Sequence, residues 1–171
     1  VQATTSAGCV SNTASSTVSA SSGSPGTCNV YYVTPSGSGS GLTKTAPASL
    51  SSAITSAFCT NSIIKMSVGI YDLTDRQMVT SYLTIEGGFA TDFLTKSSNM
   101  SGAASSTTIR RSNAADSDDA NGCTAFRIGN SSSGFRFQDL RIEMPGSPTV
   151  PAHTAGSNRT NYGIRLGTGC T

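Results

Sequence analysis

Short β-type segments separated by turn residues recur along this chain, and only one stretch carries helical spacing. The segments are 63–71, 78–89, 105–111, 124–129, 134–144 and 162–166. They are rich in β-branched and aromatic residues, and several place apolar residues at alternate positions, as in Phe135/Phe137, Leu140/Ile142 and Ile164/Leu166. Alternation with period 2 marks a strand that buries one face. Hydrophobic centres fall near Ile85, Ile109, Phe137 and Ile164, at intervals of 24, 28 and 27 residues. A spacing in the twenties, made of strands and turns alone, suggests the coils of a β-solenoid. The alternative is a sandwich with strands every roughly 8–12 residues. The paired strand pieces of 134–142 favour the solenoid.

Ahead of these segments, Val30-Tyr31-Tyr32-Val33 reads as a strand, and the Gly/Ser alternation of 35–41 breaks it as a flexible turn. The helix falls at about 47–58. There Leu50, Ala53, Ile54, Ala57 and Phe58 share a face and Pro47 suits the first turn. A single amphipathic helix among strands must cover apolar surface, and a cap over one end of a sheet stack fits. Residues 1–28 stand apart from this body of 29–171. They are nearly all Ser, Thr, Ala and Gly, the composition of a linker or arm. A Cys9–Cys28 disulfide, the protein's own sheet or a neighbouring subunit would order such an arm. Ser16-Thr17-Val18-Ser19-Ala20 is the stretch suited to adding a strand to a sheet edge.

Composition narrows the class further. The chain has 171 residues, of which 30 are Ser, 23 Thr and 18 Gly, and only 12% are charged. Helical bundles and coiled coils need far more Leu, Ala, Glu and Lys. No apolar run approaches the ~18 residues of a membrane span. A net charge of +2 with scattered Lys and Arg gives no footprint for nucleic acid. The five cysteines, Cys9, Cys28, Cys59, Cys123 and Cys170, match no zinc spacing, and the single histidine, His153, is far from all of them. Disulfides in an oxidising compartment explain them better, with Cys9–Cys28, Cys28–Cys59 and Cys123–Cys170 all open and one thiol left over. Three N-glycosylation triplets begin at Asn99, Asn130 and Asn158. An extracellular or cell-surface location follows from these features together.

At this level the chain resembles a known class. Residues 31–41, Tyr-Tyr-Val-Thr-Pro-Ser-Gly-Ser-Gly-Ser-Gly, followed by Ala46-Pro47-Ala48-Ser49-Leu50, resemble the opening of secreted right-handed parallel β-helix proteins of the pectin-lyase-like class. In that class an extended opening leads into a capping helix. The run 64–72 is similar to a first coil of the form I-x-L-x-x-G-x-Y. Leu83-Thr84-Ile85-Glu86-Gly87-Gly88-Phe89 resembles the segment that closes it, and 134–143 resembles a later coil. The resemblance implies an all-β fold: a short right-handed parallel β-helix with one N-terminal capping α-helix and an extended Ser/Thr-rich arm. The chain departs from the class in length: proteins of the class commonly carry many coils, whereas this chain has room for four to six, and its last strand at 162–166 leaves an end to be closed by further chain or by a neighbour. The class holds lyases, hydrolases, adhesins and surface-array proteins alike, so it speaks to fold rather than to activity.

Chemistry-bearing residues are sparse. The acidic stretch around Asp116, Asp118, Asp119 and Asn121 partly imitates a calcium loop, but Ser117 stands at the first ligand position and Ile128 where a bidentate Glu belongs. A polar turn is the simpler reading. Asp72, Asp75 and Arg76 read as a polar turn with a surface ion pair. A polysaccharide lyase or hydrolase would need the 116–119 acids opposite Asp139. A carbohydrate-binding module would use Tyr31, Tyr32, Tyr82 or Tyr162. The reading that remains is non-enzymatic and cofactor-free: an extracellular structural protein that self-associates, with polysaccharide or covalent glycans as further partners.

Overall fold

The computed structural model describes residues 29–57, 61–96, 105–112, 114–119, 122–145 and 160–171. The proposed contact strand 16–20, the cysteines Cys9, Cys28 and Cys59, and Asn99, Asn121, His153 and Asn158 lie outside the described residues. The elements run β1 (Val30–Val33), α1 (Leu50–Ser56), β2 (Ser62–Ser67), β3 (Gly69–Leu73), β4 (Gln77–Val79), β5 (Leu83–Phe89), β6 (Thr107–Arg111), β7 (Gly122–Ile128), β8 (Arg136–Gln138), β9 (Arg141–Glu143) and β10 (Thr160–Arg165). The protein is therefore mostly β, with one helix among the described residues. That helix is too short to cross a membrane.

The strands form three sheets, ordered β1-β2-β5-β8, β3-β6-β9 and β4-β7-β10, and every ladder is parallel. Apart from β1 and β2, which are joined through α1, no described strand pairs with its sequence neighbour. Each of β2 to β7 pairs instead with the strand three places later. Hairpins, the units of an antiparallel sandwich, are absent from these strands. The chain makes three triplets, β2-β3-β4, β5-β6-β7 and β8-β9-β10, and each strand of one triplet is hydrogen-bonded to the corresponding strand of the next.

Register then aligns like with like. Tyr31, Ile64, Ile85 and Phe137 are consecutive partners across the first sheet, and Tyr71, Ile109 and Ile142 across the second. Their side chains belong to one core with Met66, Leu83, Val79, Phe126 and Ile128. Parallel sheets buried on the inner face need this apolar stacking, since removal of such side chains from water is the main force holding the layers. The ring of Phe126 meets that of Phe137 at 5.0 Å, which joins the third sheet to the first.

Three of the β-type segments are each bent into two strands. The 63–71 stretch turns at Val68–Gly69, 78–89 at Thr80–Tyr82, and 134–144 at Asp139–Leu140. The bends rest on left-handed residues: Gly69 (φ 136°), Tyr82 (φ 58°) and Asp139 (φ 53°). In β5 the ladder slips, Lys65 pairing Glu86 but Ser67 pairing Phe89, so one extra residue is accommodated near Gly87–Gly88. A Cβ on Gly87 would stand 2.4 Å from the Asp139 carbonyl oxygen, so the next triplet packs where only glycine fits.

The expected phase of the repeat is corrected. Ile85 and Phe137 are partners in one sheet, whereas Ile109 and Ile164 belong to the second and third. Within a sheet the spacing varies, from 21 residues between Ile64 and Ile85 to 52 between Ile85 and Phe137. Connections of unequal length, not a fixed period, separate the strands.

The helix is shorter than 47–58. Ala48 is bridged to Val33 and its amide donates to the Tyr32 carbonyl, so the chain is still extended there. Ser49 is the N-cap, its hydroxyl accepting from the Ser52 amide, and Leu50 begins the helix. Leu50, Ala53 and Ala57 are buried, and α1 packs against β1, β2 and β4. The 35–41 segment is likewise no flexible turn. Gly39 and Gly41 donate to the carbonyls of Pro47 and Ala46 at 2.8 Å, and a Cβ on Gly37 would lie 2.1 Å from the Ala48 carbonyl oxygen. Glycine stands there because two backbones touch.

Candidate functional site

Arg111 organises the largest group of charges. It lies two residues after Ile109 on β6, so the strand's alternation turns it inward with that isoleucine. Its side chain is fully buried, and it is satisfied by donation to the carbonyls of Thr124 (3.0 Å), Thr74 (2.8 Å) and Ala114 (3.0 Å) and to the Ser112 hydroxyl (2.9 Å). Asp116, also buried, faces it at 3.2 Å and accepts the Thr124 amide at 2.9 Å. A buried cation needs this complete set of acceptors, because each one missing leaves charge in a medium that screens poorly.

The turn that carries Asp116 also carries Asp118 and Asp119. It is closed by the Asp116 amide on the Gly122 carbonyl and the Gly122 amide on the Asp119 carbonyl, both at 2.9 Å. Asp118 pairs with Arg76 and, at 3.0 Å, with Arg127; Asp119 accepts from Arg165 at 3.2 Å. Arg127 and Arg165 are register partners on β7 and β10, and Arg76 immediately precedes β4. Like charges stacked on neighbouring strands repel, and the aspartates of one turn neutralise arginines from three successive triplets. These carboxylate oxygens are turned to guanidinium groups, and among the described residues no group of three or more His, Cys, Asp or Glu is placed to hold a metal.

The second expected cluster is dispersed. Asp72 forms a two-pronged pair with Arg110 (2.6 and 3.0 Å), which holds its carboxyl below the ordinary carboxylate range. Partial burial pushes the Asp75 carboxyl up, but hydrogen bonds from Ser117 and from the Arg76 amide outweigh it, and the net shift is downward. Asp139 is held low by Lys96 at 2.6 Å, and the same ammonium reaches Glu86. The 116–119 acids and Asp139 therefore have separate basic partners and form no common site. Neither Arg111 as a buried cation nor Lys96 as the clamp of Glu86 and Asp139 was singled out from the sequence. The signal for Arg111 was an arginine in phase with a buried isoleucine.

Other expected residues scatter. Tyr31 is buried and its hydroxyl donates to the Ser56 carbonyl (2.8 Å), and Tyr32 stands edge-on to Phe93 at 5.1 Å. Tyr82 and Tyr162 remain 43% and 38% exposed, the latter beneath the Arg165 guanidinium. Asn130 is exposed, and its side-chain oxygen accepts the Thr168 amide at 3.1 Å. Cys123 and Cys170 are not joined. Cys123 is the second residue of β7 and meets the Ser112 carbonyl, whereas Cys170 donates to the Gly129 carbonyl just past the strand's other end. Six strand residues separate those points by about 20 Å, far beyond disulfide reach. A cleft of about 440 Å³ between α1 and β4 is lined by Ile54, Ala57, Asp75, Arg76 and Met78, but its charged groups are already engaged in the pairs above.

The remaining feature is the end of the stack opposite α1. There β8, β9 and β10 are the edge strands of all three sheets. Ile164 is the partner of fully buried Phe126 but is itself 39% exposed, and Leu166 is 57% exposed. Among the described residues, the inner row of the last triplet thus lacks the cover enjoyed by the row beneath it. No protein-family model, curated protein or solved structure matches the chain. What defines the class is the fold itself: a mostly β protein built from parallel sheets.

Proposed function

We propose that this chain is an extracellular structural protein, a subunit that self-assembles into a filament or surface layer, folded as a short right-handed parallel β-helix. The fold reading is supported by the pairing of each strand with the one three places on, and by the stacking of Tyr31, Ile64, Ile85 and Phe137 in one column. Right-handed connection is the rule for parallel crossovers. The observation that carries the function is the open end, where three sheet edges and the apolar row of Phe137, Ile142, Ile164 and Leu166 coincide. Unpaired parallel edges over an apolar cross-section are a template for another chain. The Ser-rich arm of 1–28 supplies a second contact in this reading. Particle size tests it: negative-stain microscopy and size-exclusion chromatography of the full chain should give assemblies larger than 17.4 kDa that shrink when residues 1–28 are deleted. A monomer under all conditions rejects it.

A second reading, a carbohydrate-binding module, is favoured by the exposed rings of Tyr82 and Tyr162. Polysaccharide that quenches tyrosine fluorescence in the parent protein but not in the Tyr82→Ala, Tyr162→Ala double variant would support it. Unchanged fluorescence across a panel of polymers removes it.

A further inference from the structure

The two ends of the stack differ in a way that dictates how a second copy docks. At the first end α1 lies across β1, β2 and β4, with Leu50, Ala53 and Ala57 buried beneath it. A head-to-tail stack would have to displace that helix, whereas no described helix or strand lies across the other end. Building on the self-assembly reading above, we infer that two copies join open end to open end about a two-fold axis through Ile142 of β9.

The geometry follows from the strand directions. A two-fold perpendicular to the stacking direction reverses the sense in which the chain circulates. Strands that meet across it are therefore antiparallel, although every ladder within a copy is parallel. An axis through the middle of β9 lays β9 on its mate and puts β8 opposite the second copy's β10. β9 reads Arg141-Ile142-Glu143, with Ile142 packed on the core and the two charged residues on the opposite face. Antiparallel pairing centred on Ile142 sets Arg141 across from the Glu143 of the second copy, and Glu143 across from its Arg141. The strand is its own charge complement. In the single chain the two pair with each other at 2.9 Å along β9, so docking exchanges one carboxylate for another without leaving a charge alone. The apolar row of Phe137, Ile142, Ile164 and Leu166 closes on its own copy in the same step.

Sedimentation velocity of the full chain over a concentration series tests this, with R141E, E143R and the R141E/E143R exchange. Each single variant sets like charges opposite one another twice per dimer and should weaken dimerisation by about 10- to 30-fold. The exchange variant restores opposite pairs and should return within about 3-fold of the parent, since cross-strand charge pairs carry little else. Circular dichroism at concentrations where all species are monomeric checks that each variant is folded. E143R carries the test if R141E does not fold. Association that persists but ignores the single variants, or is not rescued by the exchange, overturns the two-fold joint and leaves self-assembly standing. A chain monomeric at millimolar concentration overturns both, and the open end is then covered by something other than a second copy.

Discussion

Removing Asp116 should cost this fold more than removing any other described carboxylate. Its side chain is 2% exposed and that of Arg111 0%, so the pair is sealed from water. Breaking a buried pair by deleting one partner costs about 3–5 kcal/mol, because an uncompensated charge stays inside. In Asp116→Ala the guanidinium keeps the carbonyls of Thr124, Thr74 and Ala114 as acceptors, which places the expected loss near the lower bound, about 3 kcal/mol. Arg111→Met removes the charge but strips those carbonyls of their donor, at about 1–3 kcal/mol for each one left buried. The double variant should be more stable than the sum of the single losses implies, by about 1–3 kcal/mol, since neither partner is then stranded. Urea unfolding at pH 7 followed by far-ultraviolet circular dichroism, with unchanged slope, gives all three values. A loss under about 1 kcal/mol for Asp116→Ala, or additive losses in the cycle, would refute the assignment of Arg111 as the organiser of this turn.

Further expectations rest on independent parts of the structure. Ile85→Ala should lose about 2–5 kcal/mol in the same assay, as it opens a cavity between Ile64 and Phe137 at the centre of a column; a loss below 1 kcal/mol contradicts the stacking. Gly87→Ala should be destabilising by about 1–3 kcal/mol through the contact with the Asp139 carbonyl, and a neutral result would mean the triplets are not so closely packed. Asp72 and Asp139 ionise more readily in the folded state than at the ordinary 3.8. Their contribution is therefore complete above that value and is lost as pH falls through the lowered folded values. Unfolding midpoints should drop below about pH 4, and Asp72→Asn, Asp139→Asn should show a flatter acid limb than the parent.

How legible this was from the residues depends on the range of the interaction. β1 and most later strands could be read because Val30–Val33, Phe135/Phe137 and Ile164/Leu166 carry their preference locally. The order in which strands stack could not. Hydrophobic centres look alike whichever sheet they belong to, so the spacing lines Ile109 and Ile164 up with Ile85 although they lie in other sheets. The corners at Tyr82 and Asp139 hide for a similar reason, since a left-handed tyrosine or aspartate leaves no mark in composition. The acidic turn was visible as a group, but its meaning lay in Arg76 and Arg165, 42 and 46 residues from the aspartates they meet. Ser117 and Ile128 already spoke for a polar turn, but nothing local names the arginines it would meet.

The most direct measurement is amide hydrogen exchange of the full chain at low and high protein concentration. With self-assembly through the open end, amides of β8, β9 and β10 should gain protection as concentration rises. Those of β5, β6 and β7, already paired on both sides, should be protected throughout. Edge amides that exchange equally fast at every concentration would contradict the account, as would concentration-dependent protection confined to α1 and β1.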